Sequence, residues 1–578
     1  MLGKDGARQY VISAYYYDSK GRLVQTRTLN HLGGIDICGG TLSFDGRPLH
    51  SYARHESPDT SMYVERRYRY LADLKPAGVD MRINGGAWTR LTENRYDALR
   101  RIDRVSMLDA EIRVAYGYTA QGRLRTLSSE PFSQTLYRET RYDGSHGYLS
   151  GDISAQEFML SATTPDAASA QGKSLHAVYN YRYNGHRLEE AKYSEIERSG
   201  QPVSTSELPT VHVNPDYTAD YKYDFAGNPV SVKRRGVTEI SLDCVTGDNG
   251  KNVYREVYSY GLIDDLTLTY DGNRLKKVSD SAEDPDYAGA TDFRDGADED
   301  TEYEYDTLGR MTKDRNKGIT SIAYNEIGLP SDVYISGAHI RYTYDADGAL
   351  LCKSYGNDVI VSRPGSDWGV QASMVFESNS RRDYVGPIEY CDGAFERMHH
   401  ECGWLGADGR HTAAVRDWQG SVRATWRQGE YARVQGPPQL FRGRPRLYRN
   451  VTGYYPYGIA FADWRREERY RYGGKEQDRT CGLELHDFHA RQYDAQTCRF
   501  TSMDPLTEQY AANSPYVYCL SDLVAYTDPS GMAIKAQTGN ESGRFGLYYD
   551  RNKSTEDCFT SEACAGDFIA SVLLSTRG

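Results

Sequence analysis

YEYDTLGRM, residues 303–311, holds the local grammar on which the fold reading depends. Tyr303 and Tyr305 are two residues apart, so on a strand both rings lie on one face. Asp306 can bond to its own backbone two residues on and start a turn. Gly309 supplies a positive φ without steric cost. Arg310-Met311-Thr312-Lys313 then alternates polar and apolar, which predicts the return strand of a hairpin. Close relatives of this stretch are YYYDSKGRL (15–23), YGYTAQGRL (116–124), YKYDFAGNPV (221–230) and YTYDADGAL (342–350). LTYDGNRL (268–275) and AYNEIGL (323–329) are shorter versions. One such hairpin cannot bury a face alone, and stacking it on its neighbours solves that problem.

Composition points the same way. The chain has 578 residues, with 49 Tyr against 14 Phe. A tyrosine ring packs while its hydroxyl seeks water or a partner, so this bias predicts extended sheet wetted on its faces, with little oily core. The formal net charge of −12 excludes a general nucleic-acid coat. No apolar run approaches the roughly 20 residues of a membrane-spanning helix, and mean hydropathy is −0.70. Ten cysteines without a C-x-x-C pair argue against a disulfide scaffold or a structural zinc site. The opening residues enter repeat material almost directly, with no charged-then-apolar leader. The expectation is the C-terminal piece of a longer chain, with export lacking a cleaved leader as the alternative. Short helices are expected near 97–112, 154–170 and 461–469. The acidic insertion 279–300 reads as a solvated loop, and the Pro/Arg-rich stretch 434–450 as an exposed connector.

The densest block of turn and strand signals is 471–532. Its lines HARQYDAQTCRFTSMDPL (489–506) and SPYVYCLSDLVAYTDPSG (514–531) resemble the core-associated domain of RHS/YD-repeat proteins of the polymorphic-toxin type. The hairpin grammar over most of 10–350 resembles the YD repeat itself. Stretches 383–398, 413–426 and 453–461 resemble the last strands before the core-associated domain, with Asp417-Trp418-Gln419-Gly420 where the family usually has Asp-His-x-Gly. The resemblance implies a mostly β fold: a shell or spiral of stacked hairpins over 1–460, closed by a β-rich plug at 461–532. A variable tail, 533–578, follows.

It also implies chemistry. In family members that cut themselves, two aspartates in these positions act as an aspartic-protease-like pair. Carried over, they are Asp504 and Asp528, and the scissile bond is Met532–Ala533. Such work needs one ionised carboxylate to take a proton from water and one protonated to polarise the carbonyl, a division that close like charges supply. The plain alternative is that Asp-Pro is simply a turn starter. Arg499 is a candidate support for the pair, or a surface Arg on a strand. The chain departs from the family at Cys498 (usually Gly), at Asp522-Leu523 (usually Asn-Pro) and in a tail of only 46 residues.

No metal or cofactor is expected. His486 and His489 read as opposite faces of one strand, and His399-His400-Glu401-Cys402 reads as a polar turn. Cys558 and Cys564 could bridge in the tail. The resemblance implies a shell that encloses or presents its own C-terminal segment in bacterial contact competition, secreted or at the cell surface, with the secretion machinery as a further partner. The alternative is a non-enzymatic surface or secreted protein for adhesion, whose aromatic wall stacks on glycans. A hydrolase acting on external glycans has no supporting spacing.

Overall fold

The computed structural model describes residues 11–162, 174–196, 211–213, 215–246, 252–287, 290–364, 370–431, 446–464 and 468–536. The Cys558 and Cys564 reading, most of the tail and much of the 434–450 connector lie outside the described residues.

Each YD-type stretch forms the expected hairpin. In YEYDTLGRM, Asp306 Oδ1 accepts the N–H groups of Leu308 and Arg310, both at 2.9 Å. Its other oxygen takes Arg310 Nε at 2.6 Å, and Gly309 sits at φ +75°. The same carboxylate–arginine clasp closes Asp18–Arg22 and Asp97–Arg101. Successive hairpins then pair antiparallel in sequence order. A 19-stranded sheet covers Ser13–Tyr17 to Arg274–Asp280, and a 13-stranded sheet covers Tyr303–Tyr305 to Arg446–Arg449. Strand Val211–Val213 is the exception, lying parallel to Asn252–Asp271.

The tyrosine near the end of the outgoing strand has a recurrent job. Tyr70 donates its hydroxyl to the carbonyl of Pro48 at 2.9 Å, Tyr96 to Pro76 at 2.8 Å and Tyr118 to Ile102 at 2.7 Å. Tyr223 does the same to Leu188 at 2.8 Å, and Tyr270 to Pro229. Each accepting carbonyl lies at the start of the preceding return strand. A one-residue register shift falls beside Tyr70, Tyr96, Tyr223 and Tyr270. Such a bulge re-aims a side chain and leaves backbone groups without ladder partners. The re-aimed hydroxyl bonds to a backbone carbonyl of the preceding hairpin and ties the two hairpins together.

The expectation of a thin core is overturned. One continuous apolar cluster runs from Met62 to Val524 and includes Tyr179, Tyr181, Tyr193, Tyr217, Tyr221, Tyr457, Tyr472 and Tyr493. Phe461 belongs to it, in ring contact with Phe158, Tyr179, Tyr193 and Tyr455 and stacked on Tyr217 at 4.2 Å between ring centroids. Within it the Tyr179, Tyr472 and Tyr493 hydroxyls donate to the backbone carbonyls of Tyr217, Pro456 and Tyr457 at 3.0, 3.0 and 2.8 Å, so these rings fill the interior without water.

The predicted helices are absent from the described residues. Ile102–Met107, Ala155–Ser161 and Ala460–Trp464 are strands, because sheet pairing outweighs weak helix propensity in segments this short. The acidic insertion is not wholly solvated either. Asp292 and Phe293 are buried, Phe293 N–H bonds to Asp264 Oδ1 at 2.7 Å, and the Asp292 carbonyl accepts Gln496 Nε2 at 2.8 Å.

Candidate functional site

Residues 470–536 pack against the repeats rather than beside them. A four-stranded sheet, Glu476–Asp478, Leu485–Asp487, Gln492–Asp494 and Arg499–Phe500, forms its frame. It rests on an aromatic nest of Phe488, Tyr493, Phe500 and Tyr518, with Tyr493 and Tyr518 ring centroids 4.6 Å apart. The block grips the hairpin turns of the repeats. Tyr516 donates to the Gly309 carbonyl at 2.6 Å, Ser514 N–H to Ala226 at 2.8 Å, and Ser521 Oγ to Gly227 at 3.1 Å. The Asp417-Trp418-Gln419-Gly420 turn forms without the family's His, and Gln419 Nε2 reaches the Leu523 carbonyl at 2.7 Å.

A tight turn brings Arg491 to the centre. Asp487 Oδ1 accepts the His489 N–H at 2.8 Å, His489 takes φ +71°, and Phe488 N–H bonds to the Arg491 carbonyl at 3.0 Å. Arg491 directly precedes the strand Gln492–Asp494, and its side chain points inward, 1% exposed. Its Nη2 lies 2.9 Å from Asp504 Oδ2 and 3.2 Å from Asp528 Oδ2. The two carboxylate oxygens are thus no farther apart than the sum of those distances. Nη1 donates to the Pro515 carbonyl at 3.0 Å and Nε to the Gly531 carbonyl. The guanidinium carbon lies 3.6 Å from the Phe500 ring centroid.

Each aspartate starts the turn its proline predicts. Asp504 Oδ1 accepts Leu506 N–H at 2.8 Å. Asp528 Oδ1 accepts three, from Ser530, Gly531 and Met532 at 3.3, 2.8 and 3.2 Å. Both functions of Asp-Pro, turn starter and inward carboxylate, are therefore present together. Gly531 is required here: it sits at φ +72°, and a Cβ would come within 2.9 Å of the Phe488 carbonyl oxygen.

Burial pushes the Asp504 carboxyl above its ordinary range, with Arg491 pulling it back. Burial raises Asp528 too, and the Asp504 charge adds to the push while Arg491 opposes it. Burial depresses Arg491. Two carboxylates against one guanidinium leave like charges close together, which together with burial disfavours ionising both.

Arg499 lies elsewhere. Its Nη2 donates to the Asn273 carbonyl at 2.7 Å, and its guanidinium sits between Tyr270 and Tyr516, 4.9 and 4.8 Å from their centroids. It ties the block to the repeats, while Arg491 holds the aspartates. Both arginines stand in strand-like text, and only the turn at 488–491 selects the one that faces the pair. Met532 and Ala533 follow directly, both half-buried.

The histidines are structural. His486 is buried among aromatics, its pKa lowered to about 3 by burial, and His489 belongs to the turn rather than the strand. Within 399–402 only Glu401 and Cys402 form the expected turn. His399 and His400 end a strand, buried, with His399 Nε2 2.6 Å from Glu389 and His400 Nε2 3.1 Å from His411 Nδ1. Cross-strand neighbours supply the partners that a turn would have taken from water.

No family model matches the chain. Solved structures with the same fold include the crystal structure of TcdB2-TccC3-TEV, at TM-score 0.52 and 15% identity over 90% of this chain and 26% of that one. TcdB2-TccC3 without its hypervariable C-terminal region and the Photorhabdus luminescens Tc holotoxin pore both give TM-scores of 0.51, again at 15% identity, 90% and 26% coverage. The fold is that of the RHS-type shell in these toxin components, and this chain spans about a quarter of their length. Among curated proteins, Salivary gland surface protein 1 of Aedes aegypti is 47% identical over 62 residues, 11% of this chain and 2% of that protein.

Proposed function

We propose that this chain is the closing part of a toxin-delivery shell that presents its own C-terminal segment and releases it by self-cleavage beside Met532. The observation that carries the reading is the buried Asp504–Arg491–Asp528 constellation, which grips the chain at its exit from the block. Arg491 Nε polarises the Gly531 carbonyl, and Asp528 holds the Met532 N–H. A water between the carboxylates would lose its proton to the ionised member and attack a peptide carbonyl; the protonated member would pass its proton to the leaving amine. The polarised carbonyl favours the Gly531–Met532 bond, and the family resemblance favours Met532–Ala533.

Intact mass and N-terminal sequencing of the purified chain test this. The expected result is a fragment beginning at Met532 or Ala533, absent from Asp528→Asn and Asp504→Asn. A single uncut species between pH 4 and 8 would overturn self-cleavage. The fold likeness supports delivery, with secretion or surface display as the setting. A second reading, a surface-displayed adhesion protein, draws support from the short match to a protein named for the salivary gland surface. Uncut chain that binds a glycan array would move the assignment there.

A further inference from the structure

Asp522 stands where the family resemblance leads one to expect Asn, and the structure puts it in an unusual place. The three residues before it, Cys519, Leu520 and Ser521, all adopt positive φ, at 48°, 55° and 63°. That left-handed turn drives Asp522 inward, to 2% exposure. Backbone N–H groups face its carboxylate there, Ala525 at 3.1 Å and Val524. Among the described residues no lysine or arginine forms an ion pair with it. The charge that acts on it is another carboxylate, Asp152, and burial together with that like charge pushes its pKa up to about 7.

A buried carboxylate facing a second one needs a proton or a cation. His186, at the tip of the hairpin between Ser174–Asn184 and Arg187–Glu195, completes the arrangement. Its Nδ1 is 3.8 Å from Asp152 Oδ2, and one ligand atom from each of Asp152, His186 and Asp522 lies within 4.8 Å of the others. His186 and Asp522 also line a cleft of about 660 Å³ between that hairpin and the 513–526 segment, so an ion can reach them from solvent. Arg187, the adjacent cation, is committed elsewhere, to the carbonyls of Asp224 and Phe225 at 2.7 and 2.9 Å.

We propose that Asp152, His186 and Asp522 form a site for a divalent transition metal of the zinc or manganese kind, which fastens the closing block to the repeats. One imidazole and two carboxylates are a borderline donor set that suits these ions better than calcium, which prefers six to eight oxygens. Metal–ligand bonds near 2.0–2.2 Å require the triad to tighten by roughly 1.5 Å, which the exposed His186 side chain can supply. The three ligands come from a loop, a hairpin tip and the closing block, so one ion joins three distant parts of the chain. An ion that binds only the closed form stabilises it by mass action. The site does not depend on whether the chain cuts itself.

The test uses the full chain stripped with a chelator, then titrated with zinc, manganese or calcium chloride. Bound metal is counted by mass spectrometry, and melting is followed in parallel. Cysteines and other histidines also take zinc, so the comparison is with His186→Gln, an exposed hairpin-tip change, and with Asp522→Asn. The expected result is one additional equivalent of zinc or manganese in the native chain, at least tenfold weaker in either variant. A melting rise of several degrees should accompany it in the native chain only. Equal stoichiometry and equal melting shifts in native and His186→Gln chains would overturn the proposal. So would a response to calcium as strong as that to zinc.

Discussion

Arg491 Nη2 lies 3.2 Å from Asp528 Oδ2 across 37 residues of sequence, with Asp504 Oδ2 held on the same nitrogen at 2.9 Å. One guanidinium therefore sets the distance between two carboxylates that the chain delivers from separate Asp-Pro turns.

Removing that guanidinium should cost more than removing either acid. Arg491→Met leaves two buried carboxylates without their cation and is expected to destabilise by about 3 kcal/mol or more. Asp504→Asn and Asp528→Asn each retain one partner for Arg491 and should cost about half as much. Urea unfolding of an uncut background separates the three. An Arg491→Met chain as stable as the native protein would show that the ion pairs contribute nothing net.

Gly531→Ala should act on both stability and cleavage. The added Cβ meets the Phe488 carbonyl oxygen at 2.9 Å and Arg491 N at 3.1 Å, in a backbone conformation that disfavours side chains. A loss of about 1–2 kcal/mol is expected, with slower appearance of the fragment by time-resolved mass measurement. Cleavage at the native rate would mean the turn does not position the scissile segment.

The tyrosine ties should behave as independent increments. Tyr70→Phe and Tyr96→Phe each delete one hydroxyl–carbonyl hydrogen bond, at an expected cost of about 1 kcal/mol apiece. They lie in different hairpins and use different acceptors, so the double variant should be additive within about 0.5 kcal/mol. Differential scanning calorimetry checks this, and silent single variants would remove the ties from the account of the fold.

Two buried groups should tilt stability with pH in opposite directions. Asp314 is raised from 3.8 to about 7, first by burial and then by Asp494, against Lys317. The folded chain holds this proton more tightly than the unfolded one, so its contribution is complete below about pH 4 and is lost as pH rises toward 7. Asp314→Asn should flatten that decline. His411 is lowered from 6.5 to about 4 by burial. Its contribution is complete above pH 6.5 and is lost as pH falls toward 4, a loss that His411→Gln should abolish. A tenfold difference in proton affinity between the folded and unfolded chain is worth about 1.4 kcal/mol at most, readable in denaturant midpoints across pH 4–8. Slopes of the opposite sign would refute the assignments.

Much of this protein is written locally. Tyr-x-Tyr followed by Asp and Gly specifies strand, turn and return strand through interactions spanning four or five residues, as Asp306 with Arg310 shows. For that reason the hairpins, the β class and the two Asp-Pro turns were legible in the sequence. The packing of tyrosines was not, because whether a hydroxyl meets water or the Pro48 carbonyl depends on where the neighbouring hairpin stacks. Nor could spacing choose Arg491 over Arg499, or bring Asp152 and His186 to Asp522. Those choices follow from contacts across tens to hundreds of residues, where burial and electrostatics act on positions that only the closed structure creates.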